Sequence, residues 1–130
     1  MSERGAGEVD PREVVRALVE AAFAGDVETA QSWCTPDVVL TIEGTQTVRG
    51  HEGLRHVIEF NQDVSTDVSV DIHHVLGSGD VAALNRTTHL TIGGVALKVE
   101  VGSFFALRDG LVAAWTDYQD MQDVARALGH

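Results

Sequence analysis

Two charged side chains stand where apolar ones belong, and they limit how the second half of this chain can fold. In a strand, successive side chains alternate between two faces. Read as a strand, Leu111–Tyr118 carries Leu111, Ala113, Trp115 and Asp117 on one face. Val81–Thr91, read the same way, carries Ala82, Leu84, Arg86, Thr88 and Leu90 on one face. A buried carboxylate without a partner is costly or takes up a proton. A guanidinium matches it as a two-pronged donor and stays charged at any working pH. The simplest solution is a fold that brings Arg86 and Asp117 together on one inner surface. Such a pair has two readings: a structural ion pair that fixes strand order, or a functional pair inside a pocket.

The elements before these strands are signalled by their caps. Asp10-Pro11-Arg12-Glu13 combines an N-cap, a proline at the first helical position and an acid in the first turn. Val14, Val15, Leu18, Val19, Ala22 and Phe23 follow at helical spacing up to Gly25. Asp26 opens a second helix with Val27, Ala30, Trp33 and Cys34 on one side. Thr35-Pro36-Asp37 is expected to break it before a short strand, Val38–Glu43. After turn residues Gly44–Thr47, a third helix is expected over His51–Asn61, with Leu54, Val57, Ile58 and Phe60 as core candidates. Val68–Leu76, Val81–Thr91, Val95–Leu107 and Leu111–Tyr118 read as strands joined by short Gly- and Asp-rich turns, so hairpins are expected. A last helix is expected at Gln119–Leu128. Helices first and an antiparallel meander after them make an α+β plan, with helices gathered on one face of a curved sheet. Such a cone encloses a pocket into which Arg86 and Asp117 point. One domain over residues 1–130 is expected, with 1–9 as a flexible tail.

Composition narrows the partners. A formal net charge of −11, with nine Lys and Arg, argues against nucleic acid and anionic membranes. No apolar run is long enough to span a bilayer, and MSERGAGEVD resembles neither a signal peptide nor a transit peptide. The single cysteine, Cys34, fits a reducing cytoplasm and reads as a buried packing residue. Glycine is frequent, yet no GxGxxG or P-loop pattern occurs, so no nucleotide cofactor is expected. No metal is expected either. His73 and His74 are consecutive on a strand and point to opposite faces, and His51 and His56 lack an i,i+4 match. The partner expected is a small, largely apolar molecule.

The segments AFAGDVETAQSWCTPDVVL, ALNRTTHL and GSFFALRDGLVAAWTDYQD resemble the nuclear-transport-factor-2-like superfamily. That group includes ketosteroid isomerase, SnoaL-like polyketide cyclases and limonene-1,2-epoxide hydrolase, and the last two segments are most similar to the epoxide hydrolase branch. The resemblance runs from about Arg12 to Leu128 and implies a cone-shaped, cystatin-like α+β barrel with an internal pocket. The epoxide hydrolase pattern uses one Asp to activate water, an Arg to bridge and a second Asp to protonate the epoxide. It implies Arg86 as the bridge and Asp117 as the proton donor. The water-activating Asp of that pattern falls at Thr88, which cannot be a base at neutral pH. Its water-holding Tyr and Asn fall at Leu40 and Ile42. The ketosteroid isomerase pattern places its tyrosine near Leu18, its neutral acid near Ser103 and its base near Ile42 or Glu43.

Val95–Leu107 offers a replacement base. Strict alternation puts Leu97, Val99, Val101, Ser103 and Phe105 on one face and Lys98, Glu100, Gly102 and Phe104 on the other. Aligning Gly102 with the family's glycine, with a bulge there, turns Lys98 and Glu100 into the pocket beside Arg86. In that version Glu100 is the base. The expected function is therefore a cofactor-free enzyme that opens or cyclises an epoxide by general acid/base chemistry. Asp117, Arg86 and Glu100 form its centre, with Leu40, Ile42, Leu84, Thr88, Lys98 and Trp115 around the substrate. A polyketide cyclase or isomerase, and a non-catalytic ligand-binding or dimerisation domain, are the alternatives. A homodimer is expected through the outer sheet face, where Asn85, Thr87, His89, Thr116 and Tyr118 lie.

Overall fold

The computed structural model describes residues 9–119, 126, 128 and 129. The expected N-terminal tail and closing helix lie, but for a few residues, outside them. Helix α1 (Pro11–Phe23) begins as its cap predicts, with the Asp10 side chain accepting from the Arg12 backbone N–H at 3.0 Å. Its stripe of Val14, Val15, Leu18, Val19 and Ala22 is buried. Asp26 caps α2 (Val27–Ser32) by accepting from the Thr29 N–H at 3.2 Å.

Strand β1 (Cys34–Ile42) starts earlier than expected. Thr35-Pro36-Asp37 does not separate helix from strand; it is already extended. Its proline is tolerated because the pairing register slips between Cys34 and Val39, so no ladder bond is asked of it. Cys34 is buried at the start of this strand, and burial pushes its thiol up to about 12. A second strand, β2 (Gln46–Arg49), occupies part of the stretch read as a turn. Four mostly polar residues carry too little alternation to announce it. Helix α3 (Gly50–Val64) then buries Leu54 and Ile58, whereas Phe60, expected in the core, is 52% exposed.

The remaining strands are β3 (Val68–Ser78), β4 (Val81–Ile92), β5 (Val95–Arg108) and β6 (Leu111–Gln119). They form the expected antiparallel meander within one curved, unclosed sheet of order β2-β1-β6-β5-β4-β3. One pairing departs from the antiparallel expectation: β1 runs parallel to β6. Its return to the sheet is made through α3 and the whole meander, not through a hairpin. The helices lie on the concave side, α1 against β3 and β4 and α3 against β1. Leu18, Val19, Leu54, Ile58, Phe105 and Trp115 belong to the main core, while Ile92, Val99 and Val101 form a smaller cluster.

The outer face is polar at its middle and aromatic at one side. A register slip between Ile72 and His74 lets both histidines serve that face, contrary to the alternation expected for them. His73 hydrogen-bonds Thr87 at 2.7 Å and His74 meets Asn85 at 3.1 Å. Phe104 and Tyr118 meet edge to face there with ring centres 5.7 Å apart, and both are more than half exposed. No described helix is long and apolar enough to cross a membrane.

Candidate active site

Arg86 and Asp117 meet inside the cone. Their side chains are 2% and 7% exposed, and Arg86 Nη2 donates to Asp117 Oδ2 at 2.9 Å. The strands that carry them are not neighbours: β5 lies between β4 and β6. The guanidinium therefore spans two strand spacings, about 10 Å. What lets it pass is Ser103, whose residue on β5 pairs with Leu84 on one side and with Asp117 on the other.

Ser103 also joins the pair chemically. It accepts from Arg86 Nη1 at 2.5 Å and donates to Asp117 Oδ1 at 2.5 Å. The Trp115 indole N–H donates to the same Oδ1 at 2.6 Å, from two residues earlier on the same strand face. Arg86 Nη1 adds a longer contact to it at 3.4 Å. Arg86 Nε donates to Thr88 Oγ1 at 3.2 Å, and the Phe23 ring covers the guanidinium with its centre 4.7 Å from Cζ. Four donor contacts thus converge on one carboxylate, which accepts from every one. Asp117 enters this arrangement as a hydrogen-bond acceptor. Among the described residues nothing accepts Thr88's own hydroxyl proton.

A cavity of about 710 Å³ opens from this cluster. Arg86, Thr88 and Asp117 make a polar floor, with Trp115, Leu40, Ile42, Val57, Ile58 and Val99 among the apolar walls. His56, Glu59 and Asp63 of α3 add polar groups to its lining. The size suits a drug-sized ligand.

Of the residues expected around a substrate, Leu40, Ile42, Thr88 and Trp115 line this cavity. Leu84 does not: it is buried in the main core, two residues from Arg86. Lys98 and Glu100 do not reach the cavity either. The β4–β5 register runs without a slip from Val81–Ala106 to Ile92–Val95, so no bulge at Gly102 reverses the alternation. Val99, Val101 and Ser103 point inward, and Glu100 accepts a hydrogen bond from Thr87 Oγ1 at 2.8 Å on the outer face. The proposed replacement base lies on the wrong side of the sheet.

The sequence reading missed Ser103 as a partner of the pair, although the signal existed. A hydroxyl among Val99, Val101 and Phe105 is an intruder of the same kind as Arg86 and Asp117. Phe23 and the α3 lining carried no such signal, because apolar helix residues look alike whether they fill a core or wall a cavity.

These features define a class: a small α+β cone with helices over an open sheet and one acid–arginine cluster at the floor of its cavity. The chain belongs to the SnoaL-like domain family, whose model matches residues 15–115. It is 26% identical over 114 residues to the epoxide hydrolase EphG of Mycobacterium tuberculosis, covering 88% of this chain and 76% of that protein. A solved M. tuberculosis LEH-like epoxide hydrolase superposes with a TM-score of 0.76 at 25% identity, covering 91% of this chain and 88% of its own. A SnoaL-like polyketide cyclase structure from Jannaschia sp. CCS1 gives 0.82 at 18% identity, covering 98% and 96%, a likeness of fold.

Proposed function

We propose that this protein is a cofactor-free enzyme that moves a proton on a small, largely apolar carbonyl compound, leading to isomerisation or ring closure. The observation that carries the reading is the convergence of donors on Asp117, beside a Thr88 hydroxyl and an Arg86 guanidinium that line the same cavity. Asp117 takes a proton from the carbon next to the carbonyl, and the electron pair moves onto the carbonyl oxygen. That oxygen is held by Arg86 and by the uncommitted Thr88 proton. The proton then returns at a second carbon, or the enolate carbon attacks another carbonyl and the new alkoxide takes the proton back. The substrate that suits a lone carboxylate acting without a cofactor is one whose C–H is already acidified. β-Tetralone, an apolar bicyclic ketone with a benzylic C–H, is a suitable probe. Its deuterium exchange in D2O is expected to be accelerated by the wild type. Asp117→Asn is expected to remove about 10²–10⁴ of that rate; exchange unchanged in the folded variant would sink the reading.

A second reading, epoxide hydrolysis, is favoured by the M. tuberculosis relative. It lacks the water-activating Asp of that branch's pattern, since Thr88 stands at that position beside Arg86 and Glu100 is outside. Turnover of styrene oxide by the wild type at a rate that Asp117→Asn abolishes would establish it instead.

We also propose a homodimer through the outer sheet face, on the exposed Phe104–Tyr118 pair and the polar row beside it. Light scattering at micromolar concentration should give twice the chain mass, and Tyr118→Glu should halve it. A monomeric wild type ends that proposal.

A further inference from the structure

The two oxygens of Asp117 are not equivalent. Oδ1 accepts from Ser103 Oγ at 2.5 Å, from Trp115 Nε1 at 2.6 Å and, at longer range, from Arg86 Nη1 at 3.4 Å. Among the described residues Oδ2 accepts only from Arg86 Nη2, at 2.9 Å. Three contacts fill the space around Oδ1, whereas Oδ2 keeps a lone pair. We infer that Oδ2 is the oxygen that exchanges protons with substrate, and that Ser103 and Trp115 are positioning residues that clamp the carboxylate by Oδ1. This assignment rests on the proton-transfer reading above.

The clamp follows from the donor inventory. The Ser103 hydroxyl has one proton, and it is given to Asp117, while its lone pair receives Arg86 Nη1. The Trp115 indole has a donor and no acceptor, so Oδ1 must be the accepting partner of that bond. Rotating the carboxylate to exchange its oxygens would break the Ser103 and Trp115 bonds together. Both residues are buried, at 0% and 3% exposure, so packing holds both donors in place. Neither acts on the substrate's reacting atoms in this scheme. They fix the plane of the carboxylate and leave a single oxygen to work, and a misplacement on the ångström scale is enough to slow a proton transfer steeply.

The test uses Ser103→Ala and Trp115→Phe in the full chain, with β-tetralone exchange as the activity. Each is expected to lower kcat by about 10- to 100-fold, and Ser103→Ala, at a residue outside the cavity lining, to keep KM within about threefold, because its hydroxyl acts on the base and not on the bound ketone. A second measurement needs no activity. The chain has two tryptophans, so a 15N spectrum shows two indole N–H signals, and Trp115→Phe deletes and thereby assigns one. That signal should move upfield in Asp117→Asn, since an amide oxygen is a weaker acceptor than a carboxylate, and should move again in Ser103→Ala. If both donor variants fold and keep wild-type kcat while Asp117→Asn abolishes exchange, the clamp is wrong and the proton-transfer reading stands. If no variant affects exchange but the indole signal responds as described, the clamp holds Asp117 and the proton-transfer reading fails, taking the working role of Oδ2 with it. An indole signal indifferent to Asp117→Asn and Ser103→Ala overturns the clamp outright.

Discussion

Replacing Arg86 with methionine is expected to cost the fold about 3–5 kcal/mol, measured as the loss in urea-unfolding free energy. Asp117 is only 5% exposed, and without Arg86 its charge would keep two neutral donors, Ser103 and Trp115, in place of a guanidinium. An uncompensated buried charge is the expensive outcome. The pair itself is not, because the attraction between its members largely offsets the cost of taking both out of water. Adding Asp117→Leu to Arg86→Met is therefore expected to return most of the loss. Against a domain stability of about 5–15 kcal/mol, the single variant sits near the threshold of folding and the double variant does not. A single variant that unfolds at the wild-type urea concentration would show that the pair does not hold β4, β5 and β6 in register. A double variant no better than the single one would show that Arg86 acts through packing beneath Phe23 and not through its charge.

The second large effect is a gain. Thr88→Asp, combined with Leu40→Tyr and Ile42→Asn, is expected to raise styrene oxide hydrolysis by about 10²–10⁴-fold. The geometry explains why all three are needed. Thr88 accepts from Arg86 Nε at 3.2 Å, so an aspartate there would be bridged to Asp117 through one guanidinium. Leu40 and Ile42 lie beside Trp115 and Asp117 in the parallel β1–β6 register, and both line the cavity. Tyrosine and asparagine at these positions would supply the hydrogen bonds that hold a water against the new base. Thr88→Asp alone is expected to gain far less, because an apolar wall leaves that water unheld. A folded triple variant with no epoxide turnover would mean that the cavity is not a hydrolase site lacking its base, and would leave carbonyl chemistry as the reading.

Much of this protein was determined by its sequence taken alone. Asp10-Pro11 and Asp26 place the first two helices, because a cap is a local contest for a few backbone N–H groups. The four long strands follow from alternation, and Arg86 and Asp117 stand out because a charge on an apolar face demands a partner. The faces follow it only in part: a slip on β3 puts His73 and His74 on one face, and a slip at Ala113 on β6 sends Val112, not Leu111 and Ala113, into the core on the side of Trp115 and Asp117. Tertiary structure decided what alternation leaves open. That β5 separates the two charged strands, and that Ser103 is the residue over which the guanidinium crosses, depends on sheet order, which no single strand encodes. The parallel pairing of β1 and the short β2 are likewise settled by partners distant in sequence. For Glu100, the alternation of β5 and a family-based alignment pointed in opposite directions. The unbroken β4–β5 ladder chose the alternation, since one added residue would have turned every later side chain of β5 to the opposite face. The cavity, too, belongs to the assembled cone: Phe23, Val57 and Ile58 wall it only because the helices stand off the floor where the buried charges lie, and helical spacing does not distinguish a residue facing a void from one facing a core.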